Sequence, residues 1–301
     1  MNMDTSSANV PLVNVIVLNW NLPEDTIACV QSVFRSDYPR YQVTVVDNGS
    51  TDDSVERLTD QFGDAITVIA NKTNLGFGEG NNQGIRDALE GGADYTLLLN
   101  NDTIVAPDLV SELMRVMRSD AQVGIVGPVI YYADRPDDIW FAGMRFWSNL
   151  YIARHGLRLK PPLKPVETVD FVSGCGMLVS RGVWTTVGLF APEFFMYYED
   201  LDLCFRAQQA GFRLVTATRA WMWHRVSTST GGIESPMKQY HQVKSSLLFY
   251  RKHTRGIWFL INMALRIGHA GWVTLKQLFQ GRLRAEAAKA YLRGVSEVLR
   301  G

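Results

Sequence analysis

Cysteine is scarce in this chain. Its 301 residues hold only Cys29, Cys175 and Cys204, an odd number with no Cys-x-x-Cys spacing. That excludes a disulfide scaffold and a zinc knuckle, and it fits a reduced compartment. Net charge is lacking as well: 30 Lys and Arg balance 30 Asp and Glu, so there is no overall basic field to hold nucleic acid. Long apolar runs are missing. In the most apolar stretch, residues 256–279, the longest uninterrupted run is Ile257–Ile261, and Asn262, Arg266, His269 and Lys276 break the rest. Such a pattern suits a helix lying in a membrane interface better than one spanning a bilayer. The opening MNMDTSSANV has no basic stretch leading into an apolar one, so no secretory signal is expected. Internal repeats and low-complexity tracts are absent.

Apolar residues are plentiful at 47%, which gives material for a sizeable core and excludes disorder as the main state. Charge is unevenly spread. Residues 237–301 carry 12 Lys and Arg against only Glu286 and Glu297. An acidic body with a basic tail asks for a partner at the tail, and an anionic membrane surface is one candidate.

The first half alternates between β-branched apolar runs and helical segments. Strands are predicted over 13–18, 43–46, 66–70, 95–99 and 124–130. Helices are predicted over 24–35, 52–62, 79–89 and 107–118 between them. This order indicates βαβ units and a mostly parallel sheet flanked by helices, an α/β fold. Each strand ends in polar residues, Asn19, Asp47, Asn71 and the run Asn100-Asn101-Asp102. Ligands of such sheets bind outside the carboxyl ends of the strands. Farther on, Asp134–Pro165 reads as loop and short strands, and Phe171–Val179 as a strand. Glu199–Ala210, Ser235–Lys252 and the interfacial candidate at 256–279 read as helices.

Five polar clusters carry possible chemistry, and each has a bland alternative. Asn100-Asn101-Asp102 offers oxygen ligands to a hard cation, or is a turn. Asp47-Asn48-Gly49-Ser50 offers a carboxylate to a base or ribose, or is an Asx turn capping the next helix. The glycine-rich Asn74–Asn82 is a flexible turn on spacing alone, since it lacks the pattern and the Lys of a phosphate loop. Glu199, Asp200 and Asp202 complement a helix dipole, or supply a general base. His224, within Trp221-Met222-Trp223-His224, is structural or a ligand.

Taken together and in order, these elements resemble the inverting nucleotide-sugar glycosyltransferases of family 2, with the GT-A fold. The resemblance runs over about residues 13–253. It is carried by Val15–Asn21, Val45–Asp52, Asn74–Gly84, Leu97–Thr103, Gly174–Val179, Phe195–Arg206 and residues 224–229, and is nearest the branch that contains rhamnosyltransferases of cell-surface polysaccharide assembly. It implies a nucleoside-diphosphate sugar donor, with L-rhamnose from its thymidine diphosphate as the sugar expected, and a saccharide or lipid-linked acceptor. Asp200 becomes the catalytic base. Asn19, Asn21, Asp47, Asn74, Gly76, Asn82 and Asn101 become the nucleotide-binding set. Asp102, His224 and Asn100 would hold a divalent metal, Mg²⁺ or Mn²⁺. Asn100 stands where the family's metal motif has its first Asp, and an amide is the weaker oxygen donor.

The implied organisation is a GT-A domain over 1–235, with a nucleotide-binding half at about 10–130 and an acceptor-side half at about 131–235. A basic helical extension follows over 236–301. The implied location is cytoplasmic, peripheral on the inner face of the cell membrane. The competing function is a non-catalytic nucleotide-sugar-binding or scaffold protein of the same fold. On a helix, residues 200 and 202 point about 200° apart, so Asp202 is expected to pair with Arg206, four residues on.

Overall fold

The computed structural model describes residues 10–147, 152–156, 164–225, 236–278, 289–290 and 292–298. Four β/α alternations and a further strand come first: β1 (Val13–Asn19), α1 (Pro23–Val33), β2 (Tyr41–Asp47), α2 (Ser54–Phe62), β3 (Thr67–Ala70), α3 (Phe77–Glu90), β4 (Tyr95–Asn100), β5 (Thr103–Val105), α4 (Leu109–Met117) and β6 (Val123–Tyr132). Short strands follow, β7 (Ile139–Phe141), β8 (Met144–Trp147), β9 (Ile152–Gly156) and β10 (Val166–Thr168). Then come β11 (Gly176–Ser180), α5 (Arg181–Val187), α6 (Glu199–Gln209), β12 (Arg213–His224), α7 (Pro236–His253) and α8 (Gly256–Leu278).

One sheet organises the molecule, in the order β10-β12-β6-β11-β4-β1-β2-β3, with β5 on β12 and β7 on β6. The pairs β1–β2, β1–β4, β2–β3 and β6–β12 are parallel. The sheet is mixed rather than mostly parallel, because β11 enters between β4 and β6 antiparallel to both. Two reversals restore the direction, so β1, β2, β3, β4, β6 and β12 all end at the same edge. β11 starts there, with Gly176 opposite Leu99. The predicted strand at 171–179 is shorter than expected, because 173–175 turn beneath that edge before β11 begins.

The central strands are buried on both faces and carry a separate apolar cluster on each. Helix α3 lies close on the sheet because residue 84 is glycine: a Cβ there would meet Ile16 Cγ2 at 2.7 Å and Val46 Cγ2 at 2.9 Å. A third cluster joins Phe194 to α7 through Leu247, Phe249 and Tyr250, and to Val295 and Val298 of the helical segment 292–298.

Helix α8 buries Asn262 and Met263, with Phe259 half-buried beside them, while Ile257, Trp258, Leu260, Leu265, Ile267 and Trp272 are exposed. At 100° per residue those six side chains fall within an arc of about 180°. Phe279 lies outside the described residues, as does most of the 224–229 segment. Among the described residues no helix is long and apolar enough to cross a membrane. All three cysteines are free and buried.

Candidate active site

Strand register decides which side chains meet at the carboxyl edge. Pairing of β1 with β2 sets Asn19 beside Asp47, and pairing of β1 with β4 sets Leu18 beside Asn100. The chain then turns through Asn101 and Asp102 into β5, whose antiparallel pairing with the end of β12 puts Thr103 opposite His224. The Arg225 N–H donates to the Asp102 carbonyl at 2.9 Å. Asp102 and His224 are thereby brought together, 3.1 Å between Oδ1 and Nε2, with both side chains buried. Trp140 packs edge-on against the imidazole, 4.6 Å between ring centroids.

The acids come from the start of α6. The chain enters this helix through Tyr197 and Tyr198, at φ 67° and 70°. A left-handed conformation costs a residue with a Cβ about 1–2 kcal/mol, and such strain concentrates at functional sites. Asp200 accepts hydrogen bonds from the Gly174 N–H at 3.0 Å and the Leu201 N–H at 2.8 Å. Burial raises its pKa to about 6, against the downward pull of those amides. Glu199 is 5% exposed, and burial followed by the charge on Asp200 raises it well above the ordinary carboxylate range.

Asp202 faces the other way. Arg206 Nε donates to it at 2.8 Å, Lys252 Nζ lies at 3.0 Å and His253 Nε2 at 2.7 Å. Burial alone would raise its pKa, but the His253 hydrogen bond and the Arg206 charge outweigh burial and bring it down to about 2. The expected pairing with Arg206 is present, and α7 adds two partners that the sequence did not reveal.

Asp102, His224, Glu199 and Asp200 line one cavity of about 430 Å³. Its floor holds Asn100, Asn101, Asp102 and His224, and Glu199 and Asp200 stand on one wall. Another wall is a polar shelf. The Asn48 amide donates to Asn74 Oδ1 and to the Gly76 carbonyl, each at 3.0 Å, and its oxygen accepts from the Leu75 N–H at 3.1 Å. Gly76 has φ 84°, and a Cβ there would lie 2.2 Å from the Phe195 carbonyl. Only glycine fits both restrictions.

The predicted residues therefore divide into two groups. Asn74, Gly76, Asn100, Asn101, Asp102, Asp200 and His224 line the cavity. Asn19, Asn21, Asp47 and Asn82 do not: Asn19, Asp47 and Asn82 are buried in hydrogen bonds behind it, and the half-buried Asn21 is tied to the turn after β2. Asn19 donates to Asp47 Oδ1 at 2.6 Å and accepts from Thr26 Oγ1 at 2.6 Å. The Asn21 N–H donates to Ser50 Oγ at 2.7 Å, and its side-chain oxygen accepts from the Thr51 N–H at 3.0 Å. Asn82 clamps the Phe190 backbone, accepting from its N–H and donating to its carbonyl, each at 3.0 Å.

Asn48, Glu199 and Phe195 also line the cavity; they lie in segments singled out in the sequence but were given no place in the expected site. Sequence reasoning missed Trp140 and Lys238 from α7, which come from distant segments with no local signal. Cys175 also lines the cavity, but burial raises its thiol well above the ordinary range, which rules out a resting thiolate nucleophile.

The donor set fits a small divalent cation that shares its coordination with a ligand. Asp102 supplies a carboxylate and His224 an imidazole. Asn100 Oδ1 and His224 Nδ1 are buried with no hydrogen-bond partner among the described residues. No cluster of three or more His, Cys, Asp or Glu suited to a metal occurs among those residues. A cation held here by Asn100, Asp102 and His224 would need the rest of its shell from water or from a bound ligand.

A family profile described as "Glycosyltransferase like family 2" matches residues 11–242. The chain is 28% identical over 239 residues to an N-acetylglucosaminyl-diphospho-decaprenol L-rhamnosyltransferase of Mycobacterium tuberculosis, covering 72% of this chain and 76% of that protein. It spans only 26% of the length of another curated relative, the uncharacterised protein y4gI of Sinorhizobium fredii, at 27% identity. Two solved structures share the fold. One is GalNAc-T7 with UDP, GalNAc and Mn²⁺, at TM-score 0.64 and 14% identity, covering 95% of this chain and 55% of that one. The other is the mannosyltransferase PcManGT from Pyrobaculum calidifontis with GDP-Man and Mn²⁺, at TM-score 0.61 and 16% identity, covering 95% and 86%. The α/β architecture is that of the GT-A glycosyltransferases.

Proposed function

The chain belongs to glycosyltransferase family 2, and on that premise we propose that it transfers a sugar from a nucleoside-diphosphate donor to a saccharide or lipid-linked saccharide, inverting the anomeric centre. The observation that carries this reading is the meeting of Asp102, His224 and Asp200 in one cavity beside the Asn48, Asn74 and Gly76 shelf. The shelf receives the nucleoside. Asn100, Asp102 and His224 hold a divalent cation, which when bound offsets the charge of the leaving diphosphate.

Asp200 accepts the proton of the acceptor hydroxyl. The acceptor oxygen bonds to the anomeric carbon from one face. The bond to the diphosphate oxygen breaks on the other, through an oxocarbenium-like transition state of the kind seen in glycoside hydrolysis. The Gly174 and Leu201 amides aim the Asp200 carboxylate. The surrounding burial keeps its pKa near 6, where a base is mostly ionised at neutral pH yet still accepts a proton.

L-Rhamnose from dTDP-rhamnose is the donor sugar we favour, supported by likeness to the mycobacterial rhamnosyltransferase, with a role in cell-surface polysaccharide synthesis. The exposed apolar face of α8, on a strongly basic tail, supports docking at an anionic bilayer on its cytoplasmic side, where a lipid-linked acceptor resides. A donor screen by thermal shift, with and without Mg²⁺ or Mn²⁺, tests the donor and the cation together. The expected result is a melting-point rise with dTDP-rhamnose that needs the cation. Release of nucleoside diphosphate on adding acceptor separates transfer from mere binding. Absence of release with every donor that binds favours the scaffold reading, to which Asn100 lends its one point of support.

A further inference from the structure

One buried polar atom of the cavity is not used by the chemistry above. Glu199 is 5% exposed and lines the cavity beside Asp200. Its Oε2 has no hydrogen-bond partner among the described residues. Buried side-chain oxygens are nearly always hydrogen-bonded, and one left over in a cleft marks the place where a ligand supplies the partner.

We propose that Glu199 is a sugar-recognition residue, its carboxyl hydrogen-bonding a sugar hydroxyl next to the bond being made, on the donor or on the acceptor. This assignment rests on the glycosyl-transfer reading. A sugar hydroxyl both donates and accepts, and so does a neutral carboxyl. Burial, then the adjacent Asp200 and to a lesser degree Asp202, raise the Glu199 pKa and so favour that neutral form. Besides Asp200, the other ionisable groups of the cavity are Asp102, His224, Cys175, Tyr197 and Lys238. A neutral Glu199 also leaves Asp200 as the one ionised carboxylate at that wall, so the diphosphate meets less repulsion.

The test compares Glu199→Gln and Glu199→Leu with the wild type in two readouts. Without ligand, Glu199→Leu is expected to raise the melting point by about 2–4 °C, because it removes an unpaired buried oxygen. A group held for the fold would lower it instead, and that result overturns the assignment whatever the donor is. With dTDP-rhamnose and Mg²⁺, Glu199→Leu is expected to lose about 10–100-fold in kcat/KM, and Glu199→Gln no more than about 10-fold.

Calorimetric titration of dTDP-rhamnose without acceptor assigns the hydroxyl. A weaker Kd puts it on the donor, while an unchanged Kd with a raised acceptor KM puts it on the acceptor. Either supports the proposal. Equal loss in Glu199→Gln and Glu199→Leu, confined to kcat, means that an ionised carboxylate is needed and overturns it, as does transfer by Glu199→Leu at the wild-type level. A wild type inert toward dTDP-rhamnose sinks the donor reading alone, and the ligand-free melting points still decide the role of Glu199.

Discussion

Three acids within four residues of α6 have three different environments, and this separates their roles. Asp200 is half-buried and accepts two backbone amides. Replacing it with Asn keeps the shape and removes the base. Turnover is expected to fall by about 10²–10⁴-fold, with donor affinity retained in a titration. Because the ionised form is the active one and its pKa is about 6, kcat/KM should fall as pH drops through that value. Asp202, clasped by Arg206, Lys252 and His253, acts on stability instead. Its pKa is lowered to about 2, so its contribution is present above the unfolded value and lost as pH falls through the folded one. Asp202→Asn should cost about 3–5 kcal/mol in urea unfolding at pH 7, and the gap to wild type should close toward pH 2. The sequence foresaw Arg206 as a partner because i,i+4 spacing is local. Lys252 and His253 lie some fifty residues downstream, and no spacing rule reaches that far.

At the scale of elements, the glycine-rich turn into α3 is the clearest case of a motif whose bland reading and functional reading are both physical. The turn is flexible by composition, but its conformation is fixed: Asn48 is hydrogen-bonded to Asn74, Leu75 and Gly76, and Gly76 sits against the Phe195 carbonyl. Gly76→Ala is expected to displace that contact and push the shelf into the cavity. A drop of at least about 10-fold in nucleotide affinity should accompany a loss of about 1–2 kcal/mol in stability, read by calorimetry and by denaturant unfolding. The polar ends of β1, β2 and β4 were legible as an edge because apolar runs that stop at Asn or Asp define where strands leave the core. Which of those polar residues turn inward was not legible. Asn19 and Asp47 are neighbours by register and satisfy one another, whereas Asn74 and Asn101 reach the open space.

For the whole molecule, the question is how the tail meets the body. Helix α7 is tied in: its end binds Asp202, its start supplies Met237 and Lys238 to the cavity, and its middle packs on Phe194. Helix α8 turns its apolar arc outward. The triple change Ile257→Glu, Leu260→Glu and Trp272→Glu should leave turnover of a water-soluble acceptor intact. The same variant should stay in the supernatant with vesicles of anionic lipid that sediment the wild-type chain. Equal sedimentation of the two would remove the membrane from the proposal.

By itself the sequence determined the α/β alternation, the carboxyl-edge location of the site, and the identity of Asp102, Asp200 and His224 as residues to watch. The first two rest on local periodicity, while the expected roles of Asp102, Asp200 and His224 rest on the resemblance to family 2, since each cluster alone had a bland reading. The tertiary structure alone decided that β11 runs antiparallel, that Asn19, Asp47 and Asn82 lie in the wall rather than on its surface, and that Glu199 is buried with an oxygen that has no partner among the described residues. These outcomes depend on which distant segments compete for the same hydrogen-bonding group, and that competition is settled only when the strands pair and the helices pack.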